Sequence, residues 1–437
     1  MKFSRYNHFL SFDGNIYLYN ILTTSIAQLD KQTANLMAVE DIDALSEEVL
    51  DGLIAEGFIV DDGMDETLQY QYFCNSIKYG LSARSLTVTL IPTYNCNLAC
   101  PYCIQGSAKK GKKMTCWEVD ACLNFIKNKI NESKSLIPIK KLFISLFGGE
   151  PMMCKSELIY FCEKTSELAS VEGLEIGYDM TSNMTLLDES MLEMIEKYQI
   201  SVQVSIDGTR EEHDRRRIKR DGKGTYDIIL ANLAAMCERG LKHLITIRLN
   251  VDNENVEDAE KIFDSVKKYS DDIYFGFLTS LKGVNDSYTE KCVEPKCFSD
   301  IVSEKLNNVI EKNGYVVPQS FGKKAPCAMT CQNKFFIDCN LNVYKCELLI
   351  NRPECRVGYI DLDGNFTPTG GFFNQMSFSP FDYDECRECK FLPLCGGGCP
   401  AQKYADLERN DGELRNKNCS FNEELLDAYL KDYIKRL

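Results

Sequence analysis

The sequence predicts an α/β protein: a parallel sheet or barrel, preceded by a small N-terminal unit and followed by a cysteine-rich C-terminal domain. From Ser85 onward, strand-like and helix-like segments alternate, which is the signature of parallel α/β folds. The alternation stops near residue 305, and a region dense in cysteine and turn residues then runs to Cys419. We therefore expect three units, at residues 1–80, 85–305 and 306–437.

The N-terminal unit has the pattern of a small winged helix. Alternating apolar residues on either side of an Asp-Gly-Asn turn predict a β-hairpin, and an amphipathic helix then leads into a short strand. The hairpin strands are predicted at Tyr6–Phe12 and Asn15–Leu22, the helix at Leu45–Ile59 and the short strand at Phe58–Val60. Such a unit is either a structural cap or a docking module for a peptide.

The central unit is predicted to contain six strands separated by five helices. The strands are predicted at Ser85–Pro92, Lys141–Phe147, Leu174–Thr181, Ser201–Ile206, His243–Val251 and Asp272–Leu278. The helices are predicted near Trp117–Lys129, Lys155–Ala169, Asp188–Lys197, Tyr226–Glu238 and Asn255–Lys268. Ligands of such folds bind at the carboxyl ends of the strands. The chain has cysteines, Gly-Gly-Glu-Pro, Thr-Ser-Asn and Asp-Gly at the first four of these ends.

The charge and hydropathy of the chain exclude several classes of partner. With 50 Lys and Arg against 65 Asp and Glu, the formal net charge is −15, which disfavours a general nucleic-acid or anionic-membrane surface. No stretch approaches the roughly 20 apolar residues of a membrane span. We expect a cytoplasmic protein without a nucleic-acid or membrane partner. The basic runs Lys109–Lys113 and Arg215–Arg220 leave an RNA-directed activity as a minor alternative.

Cysteine is the unusual feature of the composition, with 21 residues in a chain that lacks a secretion signal. Disulfides are rare in a reducing compartment, so metal binding explains the many cysteines better than disulfide formation does. Cys96, Cys100 and Cys103 lie in the loop after the first predicted strand, where they could bind three irons of a cubane cluster. The fourth iron would then be open to a small ligand. A zinc loop completed by a distant ligand is the alternative.

The segment Cys96-Asn97-Leu98-Ala99-Cys100-Pro101-Tyr102-Cys103 resembles the signature of the radical S-adenosylmethionine (SAM) enzymes, including the aromatic residue Tyr102 before the third cysteine. The resemblance implies a partial (β/α)6 barrel and a [4Fe-4S] cluster that binds SAM through its unique iron. It also implies reductive cleavage of SAM to a 5′-deoxyadenosyl radical that abstracts hydrogen from the substrate. An electron donor such as flavodoxin or ferredoxin is then required.

Other loops resemble the SAM-binding motifs of this family. Gly148-Gly149-Glu150-Pro151 is similar to the motif that holds the SAM amino group, and its glycines permit close approach of the backbone to a ligand. Arg217 resembles the arginine that pairs with the SAM carboxylate. Further expected SAM contacts are Asn183, Ser205, Arg248 and Asn250; capped strand ends and a solvated arginine are the ordinary alternatives.

The C-terminal cysteines resemble those of the SPASM domain, whose members carry two auxiliary [4Fe-4S] clusters and mostly modify peptides or proteins. The resemblance implies a first cluster on Cys327, Cys331, Cys346 and Cys399, and a second on Cys386, Cys389, Cys395 and Cys419. This chain departs from the pattern at Leu341, where the family usually has glycine, and in its compressed Cys327–Cys331 spacing. Cys339 could therefore replace a ligand of the first cluster, or that cluster could have an open iron. A zinc ribbon is the alternative for the whole region.

These features together predict a peptide-modifying enzyme with three [4Fe-4S] clusters. The N-terminal unit is similar in pattern to the elements that bind the leader of ribosomally made precursor peptides, and Glu347 follows Cys346 where sulfatase-maturing relatives place a proposed general base. We expect a maturase that installs a cross-link, most readily a thioether, in a precursor peptide. The alternatives are an anaerobic sulfatase-maturing enzyme that forms formylglycine from Cys or Ser, and a zinc-stapled binding or scaffold protein without redox chemistry.

Overall fold

We describe the fold from a computed structural model of the 437-residue chain. The structure describes residues 1–82, 84–105, 111–278, 286–293, 324–350, 352–401 and 422–435. Cys419, a predicted ligand of the second auxiliary cluster, lies outside these residues. Within the described ranges no helix is both long enough and apolar enough to span a bilayer.

Fifteen strands are present in the described part of the chain, ten of them in one sheet. They are β1 Lys2–Phe3, β2 Asn7–Phe12, β3 Asn15–Asn20, β4 Ile26–Leu29, β5 Ile59–Val60, β6 Ser85–Ile91, β7 Lys141–Leu146, β8 Glu175–Ser182, β9 Ser201–Ile206, β10 Ile245–Val251, β11 Asp272–Phe277, β12 Lys334–Asp338, β13 Asn342–Tyr344, β14 Gly358–Ile360 and β15 Phe366–Pro368. The large sheet has the order β11-β10-β9-β8-β7-β6-β12-β13-β14-β15.

Thirteen α-helices are present in the described residues, and the last four of them follow the final strand, β15. They are α1 Lys31–Ala38, α2 Glu47–Ala55, α3 Glu66–Lys78, α4 Cys116–Ser133, α5 Lys155–Glu172, α6 Glu189–Tyr198, α7 Arg210–Arg216, α8 Tyr226–Glu238, α9 Ala259–Val266, α10 Gly370–Ser377, α11 Asp384–Arg387, α12 Leu392–Cys395 and α13 Glu423–Ile434. Short 3-10 turns lie between several of them, including Pro151–Cys154 after β7.

The predicted α/β barrel unit is confirmed. Strands β6 to β11 pair in parallel and in chain order, and a helix precedes each new strand from β7 to β11. The sheet continues beyond the barrel strands, because β12 pairs with the outer edge of β6 in parallel, with Ile337 opposite Leu90. The antiparallel strands β13 to β15 follow, so the sheet is continuous from the barrel into the C-terminal region.

The N-terminal unit contains the predicted hairpin, to which β4 adds a third antiparallel strand. One face of this sheet packs on α2 through Leu18, Leu53 and Phe58. The other face belongs to a second core that the C-terminal region completes. In that core Tyr6 and Tyr70 pack with apolar residues that include Leu426 and Leu430 of α13.

Candidate functional site

A cavity of about 530 Å³ opens at the carboxyl ends of the barrel strands. Its volume is in the usual range of small-molecule sites. Most of the predicted site residues of the barrel line it: Cys96, Cys100, Tyr102, Cys103, Gly148, Gly149, Asn183, Ser205, Arg217, Arg248 and Asn250. Glu347, from the C-terminal region, lines the same cavity, whereas Glu150 and Pro151 do not contribute to its wall.

The loop that carries the three cysteines is anchored by Tyr102. This side chain is buried, and its hydroxyl donates a hydrogen bond to the carboxylate of Asp207 at the end of β9. Arg217 Nη1 donates to the Tyr102 hydroxyl at 2.7 Å and lies 3.8 Å from Asp207 Oδ1. The cysteine loop, the end of β9 and the segment after α7 are thus held together by one buried polar network.

Asp207 is the centre of this network, and it is fully buried. Its Oδ1 accepts a hydrogen bond from Asn250 Nδ2 at 2.8 Å, and Asn255 Nδ2 donates to its backbone carbonyl at 2.6 Å. Burial opposes ionisation of Asp207, but the neighbouring guanidinium groups of Arg217 and Arg216 hold its pKa below the ordinary value. Sequence reasoning singled out the Asp-Gly pair only as a strand end; its position at a carboxyl end was the available signal.

The Gly-Gly-Glu-Pro segment contacts the cysteine loop rather than the cavity alone. A Cβ on Gly149 would lie 2.1 Å from the backbone oxygen of Asn95, and Gly148 has a φ of +143° and would place a Cβ 2.5 Å from the oxygen of Thr93. Glycine is therefore required here by the protein's own backbone. Glu150 N also donates to Asn95 O at 2.9 Å.

Glu150 bridges two strand ends with its buried carboxylate. Its oxygens accept from Met152 N at 3.0 Å, Ser182 Oγ at 2.8 Å and Asn183 N at 2.7 Å. Burial raises the pKa of Glu150 despite these donors. The side chain is thus used to order the end of β8 next to the cysteine loop.

Asn183, at the end of β8, lies directly beside the cysteines. Its Nδ2 is 3.7 Å from Cys96 Sγ and donates to Asn97 Oδ1 at 2.9 Å. The backbone N–H of Leu98 also donates to Cys96 Sγ, at 3.4 Å. These N–H groups supply positive dipoles to the sulfur, which suits a thiolate ligand.

Two buried polar atoms at the cavity have no hydrogen-bond partner among the described residues: Arg217 Nε and Gln105 Oε1. Buried polar groups are normally paired, so unpaired ones in a cavity indicate where a ligand binds. The guanidinium of Arg217 suits a carboxylate. With three thiols in the same wall, the donor set therefore fits a cluster and a SAM molecule. Gln105, which sequence reasoning missed, also donates to Gly148 O at 2.5 Å.

The cavity wall also carries charged groups outside the cysteine loop. Arg248 Nε donates to Asn250 Oδ1 at 2.8 Å. A Cβ on Gly276 would lie 2.5 Å from Arg248 Nε, so the glycine leaves room for the guanidinium group. Burial raises the pKa of Glu347, against the effect of Arg248. Burial likewise raises the pKa of Asp179, a second carboxyl group in the cavity wall that the sequence did not single out.

The division of the C-terminal cysteines into two cluster sites stays a prediction. Cys346 and Cys399 pack around a small core with Met329, Leu349, Cys355 and Ala401, and electrostatic interactions link Cys346 to Cys327 and Cys399, and Cys327 to Cys331. Cys386, Cys389 and Cys395 lie in the turns of α11 and α12. Cys339 lies instead in the main core of the barrel. No group of three metal-ligating side chains is already in metal-binding geometry within the described ranges.

Leu341 has a left-handed backbone, with a φ of +61°, at the position where the SPASM pattern has glycine. A side chain in this conformation costs about 1–2 kcal/mol. The carboxylate of Asp338 compensates by accepting from Asn340 N at 2.8 Å and Asn342 N at 2.9 Å, and Leu341 N donates to Asp338 O at 2.8 Å. The turn keeps its shape without glycine.

The parallel barrel, the three-cysteine loop and the cavity define the class of protein. Residues 90–266 match the family model of the radical SAM superfamily. This part of the chain is a radical SAM domain, and the protein is an enzyme. The prediction of a radical SAM fold from the cysteine loop is confirmed at this level.

Known proteins similar to this chain include maturation enzymes. A cysteine-type anaerobic sulfatase-maturating enzyme of Clostridium novyi (strain NT) is 23% identical over 351 residues, which is 73% of this chain and 89% of the relative. The structure titled "Native anSMEcpe with bound AdoMet and Kp18Cys peptide" has a TM-score of 0.65 at 18% identity and covers 81% of this chain and 100% of its own. Streptococcus suis SuiB bound to precursor peptide SuiA has a TM-score of 0.56 at 13% identity, covering 96% and 99%.

Proposed function

We propose that the protein is a radical SAM enzyme that oxidises a side chain of a peptide or protein, and that it forms formylglycine from cysteine or serine. One observation carries the proposal: a single cavity is lined by the three-cysteine loop, by Arg217, whose Nε has no partner among the described residues, and by Glu347. The similarity to sulfatase-maturating enzymes supports formylglycine formation, an alternative in the sequence analysis, over the thioether cross-link expected from the sequence.

In this proposal Cys96, Cys100 and Cys103 would hold a [4Fe-4S] cluster, and the cavity that they line would bind SAM. When bound, the cluster and SAM supply a 5′-deoxyadenosyl radical. Arg217 would bind the SAM carboxylate, since its Nε is unpaired among the described residues while its Nη1 is held by Tyr102 and Asp207. Asn183 and the backbone of Gly148 and Gly149 would orient the rest of the molecule, while the pairing of Glu150 with β8 keeps that wall in place.

The role of Glu347 is to accept a proton from the substrate. Oxidation of a Cβ–OH or Cβ–SH group removes one hydrogen atom from Cβ, one proton from the heteroatom and one further electron. Glu347 would accept the proton, the 5′-deoxyadenosyl radical would take the hydrogen atom and become 5′-deoxyadenosine, and an oxidised auxiliary cluster held by the C-terminal cysteines would supply the acceptor for the electron. For cysteine, hydrolysis of the resulting thioaldehyde releases hydrogen sulfide.

The test uses the anaerobically reconstituted protein with SAM, dithionite and the Kp18Cys peptide. We expect an aldehyde product, trapped as a hydrazone and located by mass spectrometry. Glu347→Gln should lower its formation by about 100-fold or more, while the protein still cleaves SAM. Glu354→Gln, a change at an exposed carboxyl group of the same region, is the matched control. An aldehyde yield from Glu347→Gln equal to that of the wild type would contradict the assigned role.

Peptide cross-linking is the second candidate, and the N-terminal unit favours it. The SuiB fold covers 96% of this chain, whereas the anSMEcpe fold covers 81%. Strand β4 pairs only with β3 among the described strands, which leaves one edge for strand addition by a leader peptide. A product that has lost two hydrogens and kept its sulfur, made from a precursor peptide but not from Kp18Cys, would favour this reaction.

The open edge of β4 has a specific test. Asn20 N bonds to Ser25 O, so alternation along the strand directs the N–H of Gln28 outward. Gln28→Pro should remove a donor for an added strand and leave the β3 pairing intact, whereas Gln28→Ala should not affect leader binding. Deleting residues 1–80 is a poorer test, because Tyr6 and Tyr70 complete the core that contains Leu430.

We further propose two auxiliary [4Fe-4S] clusters in a SPASM-type C-terminal domain. The clustering of Cys327, Cys346 and Cys399 supports the first site, and the buried Cys355 beside them is a better substitute ligand than Cys339. Three clusters predict about 12 iron and 12 sulfide per chain. Stoichiometric zinc without sulfide would instead support a structural metal protein.

A further inference from the structure

The two strongest basic runs of this acidic chain both lie against the cysteine loop. Residues 111–113 of the first run are about a hundred residues away from residues 218–223, which begin in the second run and continue past it to Lys223. Each of these two segments bonds to the backbone between Thr93 and Ala99. Because six residues span at most about 20 Å, the two segments lie on one small area of surface. We call this area the basic collar.

The first half of the basic collar is joined to the start of the cysteine loop. Lys113 forms a β-bridge with Thr93, and Thr93 Oγ1 donates to the carbonyl of Lys112 at 3.1 Å. Asn95 exchanges two hydrogen bonds with the backbone of Gly111, at 2.7 and 3.1 Å. The side chains of both lysines are exposed.

The second half is joined to the loop at the cysteines themselves. Lys219 forms a β-bridge with Leu98, and Ala99 N donates to Ile218 O at 2.8 Å. Arg220 Nε donates to the carbonyl oxygen of Cys96 at 3.1 Å. The turn that follows exposes Lys223.

The charge of the basic collar is opposite to that of the protein. Its two segments contain five basic residues, Lys112, Lys113, Lys219, Arg220 and Lys223, and one acidic residue, Asp221, in a chain of net charge −15. Glu118 pairs with Lys112 at 2.7 Å and Asp221 with Lys223 at 3.4 Å, so the collar stays positive overall. Trp117, four residues after Lys113, has 75% of its surface exposed, and exposed tryptophan is enriched at interfaces.

We propose that the basic collar docks an acidic one-electron carrier protein that reduces the cluster held by Cys96, Cys100 and Cys103. The inference rests on the proposed function, which places a reducible cluster in this loop. In the docked complex the carrier loses one electron and the cluster gains it, with no bond formed or broken between the two proteins. A positive surface within a negative molecule selects this orientation, because like-charge repulsion disfavours every other approach of an acidic partner.

The experiment compares two reductants of the same reconstituted enzyme: dithionite, which needs no docking surface, and the acidic hydroquinone form of flavodoxin. The measurement is the initial rate of 5′-deoxyadenosine formation from SAM. The variants are Lys112→Glu with Lys113→Glu, and Lys219→Glu with Lys223→Glu. The control is Lys140→Glu with Lys141→Glu, which makes the same charge change at the start of β7, whereas the Gly-Gly-Glu-Pro segment that contacts the cysteine loop follows the end of that strand.

We expect each collar variant to lower the flavodoxin-driven rate by about tenfold or more at low salt, and the wild-type rate to fall as salt rises. The dithionite-driven rates and the control variant should match the wild type. The proposal is overturned if flavodoxin drives wild type and both collar variants equally, or if dithionite reduces the wild type but flavodoxin does not. If the wild type does not cleave SAM even with dithionite, the proposed function is refuted instead.

A nucleic-acid role for the basic collar is a separate outcome of the same set of variants. The probe is a single-stranded RNA. If the wild type binds it in a salt-sensitive way, and both collar variants lose this binding but keep their flavodoxin-driven rates, the proposal is overturned in favour of RNA.

Discussion

The cysteine loop of the barrel and the cysteine region after residue 324 are held in place by different means. Around the loop, Tyr102, Asp207 and Arg217 form a buried polar network that joins several strand ends. In the C-terminal region, short turns carry the cysteines, and a small apolar core with Met329 and Leu349 packs beneath them. The first region is held by buried side-chain hydrogen bonds and ion pairs, whereas the cysteine-bearing turns of the second pack on a small apolar core.

This difference teaches which site depends on metal for its structure. Because a site that is not preformed gains its order from the metal, binding free energy there becomes folding free energy. We therefore expect the barrel loop to keep its conformation when iron is removed, and the C-terminal region to lose stability. The predictions below test each side of this contrast.

The largest effect is expected at Asp207. Asp207→Asn removes the carboxylate that faces Arg216 and Arg217, and an unpaired buried charge costs about 3–5 kcal/mol in the free energy of unfolding. Chemical denaturation of the iron-free protein measures it. Asp271→Asn, which removes a surface partner of Lys242, should leave the unfolding curve nearly unchanged. Equal curves for both variants would show that the network does not stabilise the loop.

A pH dependence of stability is expected from His213, next to the same network. Its Nδ1 lies 3.4 Å from Asp207 N, so a proton on Nδ1 would face another N–H. Its Nε2 lies 3.0 Å from Thr225 Oγ1, and the Thr225 hydroxyl donates to Arg217 O. Burial lowers the pKa of His213 from 6.5 to about 4.

Above pH 6.5 the imidazole is neutral in both folded and unfolded states and contributes nothing. Between pH 6.5 and 4 only the unfolded state takes up the proton, so stability falls as the pH falls, by about 3 kcal/mol in total. His213→Gln should remove this component when unfolding curves are compared across the range. A wild-type curve parallel to that of the variant would contradict it.

The next largest effect is expected on SAM cleavage from a change at Gly149, which contacts the cysteine loop. Gly149→Ala would place a Cβ 2.4 Å from Tyr94 O and displace the loop, and a shift of about 1 Å lowers SAM cleavage by about 100-fold. Gly52→Ala is the matched control, because a Cβ there meets nothing within 4 Å and a helix interior gains about 0.5–1 kcal/mol from alanine. Normal cleavage by Gly149→Ala would mean that the loop can move without loss of function.

The smallest effect is expected in the C-terminal region, at the buried Lys345. Its ammonium donates to the carbonyl of Lys334 at 2.6 Å and of Gln332 at 3.3 Å, and also to that of Cys331. Lys345→Met leaves these carbonyls unpaired, which costs about 2 kcal/mol. We expect iron per chain to fall from about 12 to about 8 with SAM cleavage by dithionite retained. Lys390→Met, which removes a surface ion pair with Glu423, should keep the full iron content.

The sequence predicts the barrel well because each strand is a short apolar run between amphipathic helices, and every predicted barrel strand lies within two residues of an observed one at its start. The cysteine loop was predicted from a motif of fixed spacing, and Arg217 from its resemblance to a SAM-binding arginine of the family. Gly148 and Gly149 were found too, but their close contact is with Thr93 and Asn95, and not with a ligand alone. A local motif identifies a residue but does not predict which groups that residue contacts.

What the sequence could not provide depends on contacts between distant segments. Strand β12 was not predicted, since its five residues become a strand only beside β6, about 245 residues earlier in the chain. Asp179 and Gln105 carry no motif, and they are recognised only because the fold directs them into the cavity. The basic runs read as solvated charge until their contacts with Cys96 and Thr93 are known.

The shared core of the two chain ends sets an order of assembly during translation. His8 bonds to Asp427 at 2.6 Å across a separation of 419 residues, and Tyr6 packs in the same core as Leu430. At about 5–20 residues per second, the ribosome needs roughly 20–80 s to make the intervening chain. During that time the N-terminal sheet keeps an apolar face exposed, so the finished fold of the first residues must wait for the last helix. A chaperone that covers this face would act early in synthesis and leave only as α13 emerges.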